Sequence, residues 1–241
     1  MHACASPVQP GTARRPLPPR GFLDGLFGSP STPATSAPPS GPAAEPWLAR
    51  LVEGTILEAQ PLALAYDASR DGWTASAFHR RVDNRGPLLL LAESAGGARF
   101  GAFTPLGFAS REDYRDSNST FLFRWADGAD WQAEEPEYLL KTGAPALFDF
   151  SAQGPCFGAD ALRIPLGLAP PNGSSYAGVG GSTDLGKGHA AGTRAARSRL
   201  GSHYARRGDG GATLFGDAEG MDAELTSLRC WVSPGREGMY M

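Results

Sequence analysis

The chain has 241 residues, 41% hydrophobic and 20% charged, which suits one core domain with an extension and excludes two full domains. A formal net charge of -3 gives no whole-chain reason to expect nucleic acid or an anionic membrane surface as the partner. Cys4, Cys156 and Cys230 are far apart and form no C-x-x-C pair, so neither a disulfide framework nor a zinc knuckle is indicated, a reducing compartment fits, and without a long apolar run or secretory signal the expectation is a soluble intracellular protein.

Residues 1–45 hold ten of the 21 prolines and cannot bury enough apolar surface to offset chain entropy, so they read as a disordered leader. Arg14, Arg15 and Arg20 precede the first acid, Asp24. That order permits an organelle-targeting presequence, although the prolines work against the amphipathic helix a mitochondrial signal needs. The favoured location is cytoplasmic, peripheral at organelle membranes. The island Gly21-Phe22-Leu23-Asp24-Gly25-Leu26-Phe27 has the look of a short linear motif, but such clusters are common in linkers.

Order is expected from Pro46, where Trp47, Leu48, Leu51 and Val52 give the apolar stripe of a short helix. Ser69-Arg70-Asp71-Gly72 reads as a turn. Thr74 is placed to cap a second helix carrying Ala75, Phe78 and Val82, ended by Asp83-Asn84-Arg85-Gly86-Pro87. The period then becomes that of strands. Leu88 to Ala92 is a short continuous apolar run, covered on both faces, and Gly96-Gly97 turns the chain into Arg99-Phe100-Gly101-Ala102-Phe103. Further strands are predicted over Thr120–Trp125, Tyr138–Lys141, Ala146–Phe150, Leu162–Leu166 and Leu225–Val232. Residues 172–211 are rich in Gly, Ser and Arg and read as a long mobile excursion, loosest over 177–211, ahead of a tail at 234–241. The fold class expected is α+β, mainly β, with two packed antiparallel sheets and a few short helices over 46–233.

Taken in order, Ser69-Arg70-Asp71-Gly72, Phe78-His79, Gly86-Pro87, Gly97 with Phe100-Gly101, Thr120-Phe121-Leu122-Phe123, and Gly154-Pro155 with Phe157-Gly158 resemble the successive blocks of a TLDc domain. Asn172 with Ser174-Ser175-Tyr176 is similar to a following block. Leu225 to Val232, with Trp231, is similar to the closing strand, so the resemblance runs from about Gly54 to Ser233. It implies two packed antiparallel sheets with short helices. It also implies action through contact with the vacuolar-type proton-pumping ATPase, modulation of that pump's assembly, and a link to oxidative-stress resistance. No catalytic centre, metal or cofactor is implied. One departure matters: Arg229-Cys230-Trp231 stands where the family commonly has an acidic residue before its last aromatic, which changes the charge of that edge.

Other chemistry is weighed against bland readings. Arg70 beside Asp71 has the form of a ligand dyad, but Asp71 bonding turn N–H groups, with Gly72 closing the turn, explains the motif without a ligand. His79 lacks companions for catalysis or metal binding and reads as structural. Cys156 reads as a buried small hydrophobe unless its thiol is exposed and acidified. Gly181 to Gly188 nearly spells a phosphate loop around Lys187, yet Gly188 stands where a hydroxyl is required. Ser94 follows an apolar strand, but Ala92 occupies the first glycine position of a nucleophile elbow. A small hydrolytic or nucleotide-using enzyme built on Ser94 or Lys187 is therefore the alternative to an interaction module. A third reading has Arg194, Arg197, Arg199, Arg206 and Arg207 bind RNA, although Tyr204 is the lone interleaved aromatic.

Overall fold

A computed structural model describes residues 46–167 and 193–235. It begins with α1 (Pro46–Val52), whose Trp47, Leu48, Leu51 and Val52 are all buried. A helix this short does not hold itself together in water and depends on that stripe. Trp47 stands edge-on to Trp131 and Trp231, with ring centroids 5.1 and 5.6 Å apart. Such pairs add about 1 kcal/mol each beyond area burial.

Next come β1 (Ala63–Asp67), α2 (Ala68–Asp71) and α3 (Ala75–Val82). The Thr74 hydroxyl caps α3 as expected, accepting from the Ala77 N–H at 3.2 Å. The remaining elements are β2 (Leu88–Ser94), β3 (Arg99–Thr104), β4 (Asp113–Arg115), β5 (Phe121–Arg124), β6 (Glu137–Leu140), β7 (Leu147–Asp149), β8 (Cys156–Phe157), β9 (Leu162–Arg163), β10 (Ala195–Arg197) and β11 (Asp222–Val232).

The mainly-β class is as expected, and the ladders are antiparallel. In place of two separate sheets the strands follow one continuous order, β4-β7-β8-β9-β10-β11-β2-β3-β5-β6, with β1 also on β11. The join is β11 itself. Asp222–Glu224 pairs β10, whereas Leu225–Val232 pairs β2, and the register shifts between Leu225 and Ser227. A bulge of this kind lets one long strand serve two directions of sheet.

β2 explains why its sequence shows no alternation. Leu88, Leu90 and Ala92 point into a core shared with Phe78, Phe100, Leu147, Phe157, Leu162 and Ile164. Leu89 and Leu91 point the other way, into a core with α1, Phe103, Phe123, Trp125 and Trp231. Both faces are covered, so both periods are apolar.

The excursion read over 172–211 requires correction from Thr193 onward. Residues 168–192 lie outside the described residues, as do the leader and residues 236–241. From 195 the chain is part of the fold, because Ala195–Arg197 joins β11 and β9, and Leu200 and Tyr204 are buried in the main core. The Tyr204 hydroxyl donates to the Ala146 carbonyl at 2.7 Å. Two well-placed apolar side chains outweigh a Gly- and Arg-rich composition. Among the described residues no helix is long and apolar enough to cross a membrane.

Candidate functional site

The Ser69–Gly72 block builds an organised polar cluster at the surface. Asp67, in extended conformation, caps α2 by accepting from the Ser69 N–H at 2.9 Å and the Ser69 hydroxyl at 2.6 Å. Gly72 ends the turn at φ 100, a left-handed value that favours glycine, and its N–H donates to the Ala68 carbonyl at 3.1 Å. From beneath, the buried Tyr66 hydroxyl donates to the Gly72 carbonyl at 2.8 Å. Burial foremost pushes that phenol far above its usual range and keeps it a donor.

Asp71 is the centre. Its Oδ2 accepts from the Asp67 N–H at 3.0 Å and from Arg70 Nη2 at 2.7 Å, and its Oδ1 accepts from Arg70 Nε at 3.2 Å and Arg81 Nη2 at 2.7 Å. The Asp71 side chain is 2% exposed. The Arg70 hydrogen bonds, then the Asp67 N–H and Arg81, outweigh burial and hold the carboxyl well below the usual carboxylate range. Arg70 Nη2 also donates to the Ala65 carbonyl at 3.3 Å, where the β1 register breaks between Leu64 and Tyr66.

Arg70 and Arg81 keep about half of their side-chain surface in solvent, 50% and 47%. With Arg85 they line a cleft of about 420 Å³ whose remaining lining is Ala63, Leu64, Ala65, Val232 and Pro234. Fixed guanidinium forks beside an apolar wall bind anions that also carry apolar groups. The sequence pointed to Arg70 and Asp71 but missed Arg81, Arg85, Leu64, Val232 and Pro234. The available signal was the basic last turn of α3, His79-Arg80-Arg81.

The other motif residues do not converge on this cleft. Phe78, Phe100 and Phe157 lie in one core, Phe123 and Trp231 in the other, with Phe121 packed against the second. Gly101 is required by close approach: a Cβ there would sit 2.0 Å from the Leu90 carbonyl oxygen and 2.4 Å from the Phe123 ring. Gly154 is similar, with the Ile164 carbonyl oxygen 2.3 Å from such a Cβ. Gly86, Gly97 and Gly158 have positive φ, and Pro87 is buried just ahead of β2. Ser175 and Tyr176 lie outside the described residues.

His79 has companions the sequence did not show. Nδ1 lies 2.8 Å from Asp83 Oδ1 and 3.2 Å from Ser110 Oγ, while Nε2 lies 2.8 Å from the Gln153 carbonyl oxygen. A catalytic triad needs acid and nucleophile on opposite ring nitrogens, but here Asp83 and Ser110 share one and the other is taken by backbone. The cluster ties α3 to two loops.

Ser94 is buried at 2% exposed. Its hydroxyl donates to Glu219 Oε2 at 2.8 Å and accepts from the Ala98 N–H at 3.0 Å, so it closes the β2–β3 turn. Cys156 and Cys230 are buried free thiols, and burial pushes the Cys156 thiol up to about 12. Gly181 to Gly188, with Lys187, lies outside the described residues. The arginines proposed for RNA are engaged at home. Arg194 stacks over Trp73 at 5.2 Å, Arg197 meets Asp222 at 3.1 Å, Arg199 meets Asp160 at 3.7 Å, and Arg207 reaches Asp217 at 3.0 Å. Arg206 reaches the Gly210 carbonyl at 3.5 Å. Among the described residues no three His, Cys, Asp or Glu side chains are grouped to hold a metal.

No curated protein matches the chain. A family model described as the TLDc domain matches residues 48–179. That span contains the Ser69–Gly72 turn, α3, the glycine contacts at Gly101 and Gly154, and strands β1 to β9, while β10 and the joining strand β11 lie beyond it. With more than half of its length under that match, the chain belongs to the TLDc domain family.

Proposed function

We propose that this TLDc chain is a non-enzymatic protein-interaction module that binds the vacuolar-type proton-pumping ATPase and modulates its assembly, with oxidative-stress resistance as the downstream effect. Family kinship supports the partner class. The observation that carries the reading is that the motif's Arg70 lines a surface cleft with Arg81 and Arg85, and that the buried Asp71 of the same motif holds Arg70 and Arg81 in place. The arrangement suits recognition, since a surface of fixed forks beside an apolar wall offers contacts but no acid, base or nucleophile.

In this reading the interaction domain spans 46–233, residues 1–45 are a leader and 234–241 a tail, and the protein acts in the cytoplasm at the surface of organelle membranes. The burial of Cys156 and Cys230 supports a stress effect that runs through the partner, not through these thiols. The test is affinity capture with the full chain from extract of the producing cell, with and without nucleotide. Recovery of proton-pump subunits is expected in at least one condition. Their absence from both overturns the reading.

A further inference from the structure

The geometry points to the Arg70–Arg81–Arg85 cleft as the docking site for an acidic, apolar segment of a protein partner, its carboxylates on the guanidiniums and an aliphatic side chain against Leu64 and Pro234. This inference rests on the interaction-module reading and names the chemistry its partner must present.

Charge is the first argument. Within the lining Arg70 and Arg81 share one carboxylate, that of the buried Asp71. The cleft therefore presents more positive than negative charge, on a chain whose formal net charge is -3. Preorganisation is the second. The buried Asp71 holds both guanidiniums from one side, so their outward N–H groups are held in place and little side-chain entropy remains to be lost on binding.

The apolar part of the lining decides the class of anion. Ala63, Leu64 and Pro234 are exposed and present no donor side chains, Leu64 at 37%. A small phosphate would neutralise the arginines and leave that apolar part in water, whereas a peptide carrying Glu or Asp next to an aliphatic residue covers both. Nucleic acid fits less well, because the lining has no aromatic on which a base could stack. Main-chain strand addition along β1 is also disfavoured, because the Ala65 carbonyl is occupied by Arg70 at the register break. Side chains must carry the recognition.

The test uses the full chain and a labelled short peptide alternating glutamate and leucine, read by fluorescence anisotropy at low salt. Binding should weaken roughly tenfold in Arg81→Ala/Arg85→Ala and several-fold in Leu64→Ser, and the matching glutamine–leucine peptide should bind weakly if at all. Arg85→Ala alone, which leaves the Asp71 contacts intact, should weaken binding several-fold, with circular dichroism checking that the variant is folded. Failure of the peptide to bind, or equal binding by the arginine variants, overturns the inference. So does displacement by millimolar inorganic phosphate, or arginine-dependent binding to phosphoinositide vesicles in preference to the peptide, either of which would reassign the cleft to phosphate. Capture of pump subunits by Arg81→Ala/Arg85→Ala at wild-type level, alongside lost peptide binding, would keep the cleft's chemistry and remove it from the pump contact. Absence of pump subunits with the wild-type chain, alongside intact peptide binding, would overturn only the broader reading.

Discussion

His79 Nε2 lies 2.8 Å from the backbone oxygen of Gln153, 74 residues further along the chain. Nδ1 faces the Asp83 carboxylate at the same distance, so both ring nitrogens meet acceptors, and only the imidazolium has a proton for each. Burial opposes that charge, but the Asp83 hydrogen bond and charge, the Gln153 carbonyl and the Asp149 charge together raise His79 above its ordinary value. The sign follows. A group whose folded pKa is raised stabilises fully below its unfolded value, about 6.5, and that share is lost as pH rises through the folded value. Urea unfolding should find His79→Gln less stable by about 1–2 kcal/mol at mildly acid pH, with the gap narrowing at alkaline pH. A gap independent of pH would contradict the imidazolium assignment.

Asp71 has the opposite sign. Its depressed folded pKa gives stability that is present above the unfolded carboxylate value and is lost as pH falls through the folded value. Asp71→Asn should cost about 1.5–3 kcal/mol near neutral pH, because Arg70 and Arg81 lose a charged acceptor. The difference from wild type should shrink as the solution is acidified below the ordinary carboxylate range. Equal urea midpoints at neutral pH would show that the cluster does not hold the turn.

Two glycines should fail for different reasons. A Cβ at Gly101 meets the Leu90 carbonyl and the Phe123 ring, so Gly101→Ala should cost about 1–3 kcal/mol through overpacking. Gly72 has open space around it but φ 100, so Gly72→Val should cost a similar amount, about 1–3 kcal/mol, through backbone strain alone. Thermal unfolding of both variants checks this. Wild-type stability in either would remove the assigned cause.

The buried thiols should be silent in the native protein. Burial raises Cys230 as well as Cys156, leaving little thiolate at neutral pH. Intact-mass analysis after brief alkylation should show neither residue modified until denaturant is added. Native labelling of Cys156 at the denatured rate would reopen a direct redox role.

Local signals made much of the fold legible. The Pro46–Val52 stripe, the Thr74 cap and the continuous run from Leu88 each carry their structure within a few residues. β1, β4, β8 and β10 were not legible, because short segments such as Asp113-Tyr114-Arg115 and Ala195-Ala196-Arg197 are strands only by virtue of their partners on β7 and β11. The continuous sheet was hidden for the same reason, since a bulge between Leu225 and Ser227 leaves no mark on hydrophobic periodicity. Half of the site was visible in Arg70 and Asp71. The other half required folding, as Arg81 reaches Asp71 only when α3 packs beside α2, and Leu64, Val232 and Pro234 come from opposite ends of the domain.

The proposed function requires this chain to bind the proton pump. The most direct measurement mixes the purified full chain with purified vacuolar-type ATPase and follows co-sedimentation together with the ratio of peripheral to membrane sectors. Stoichiometric association with an altered sector ratio is expected. Sedimentation of the pump without the chain, at an unchanged ratio, would contradict the account.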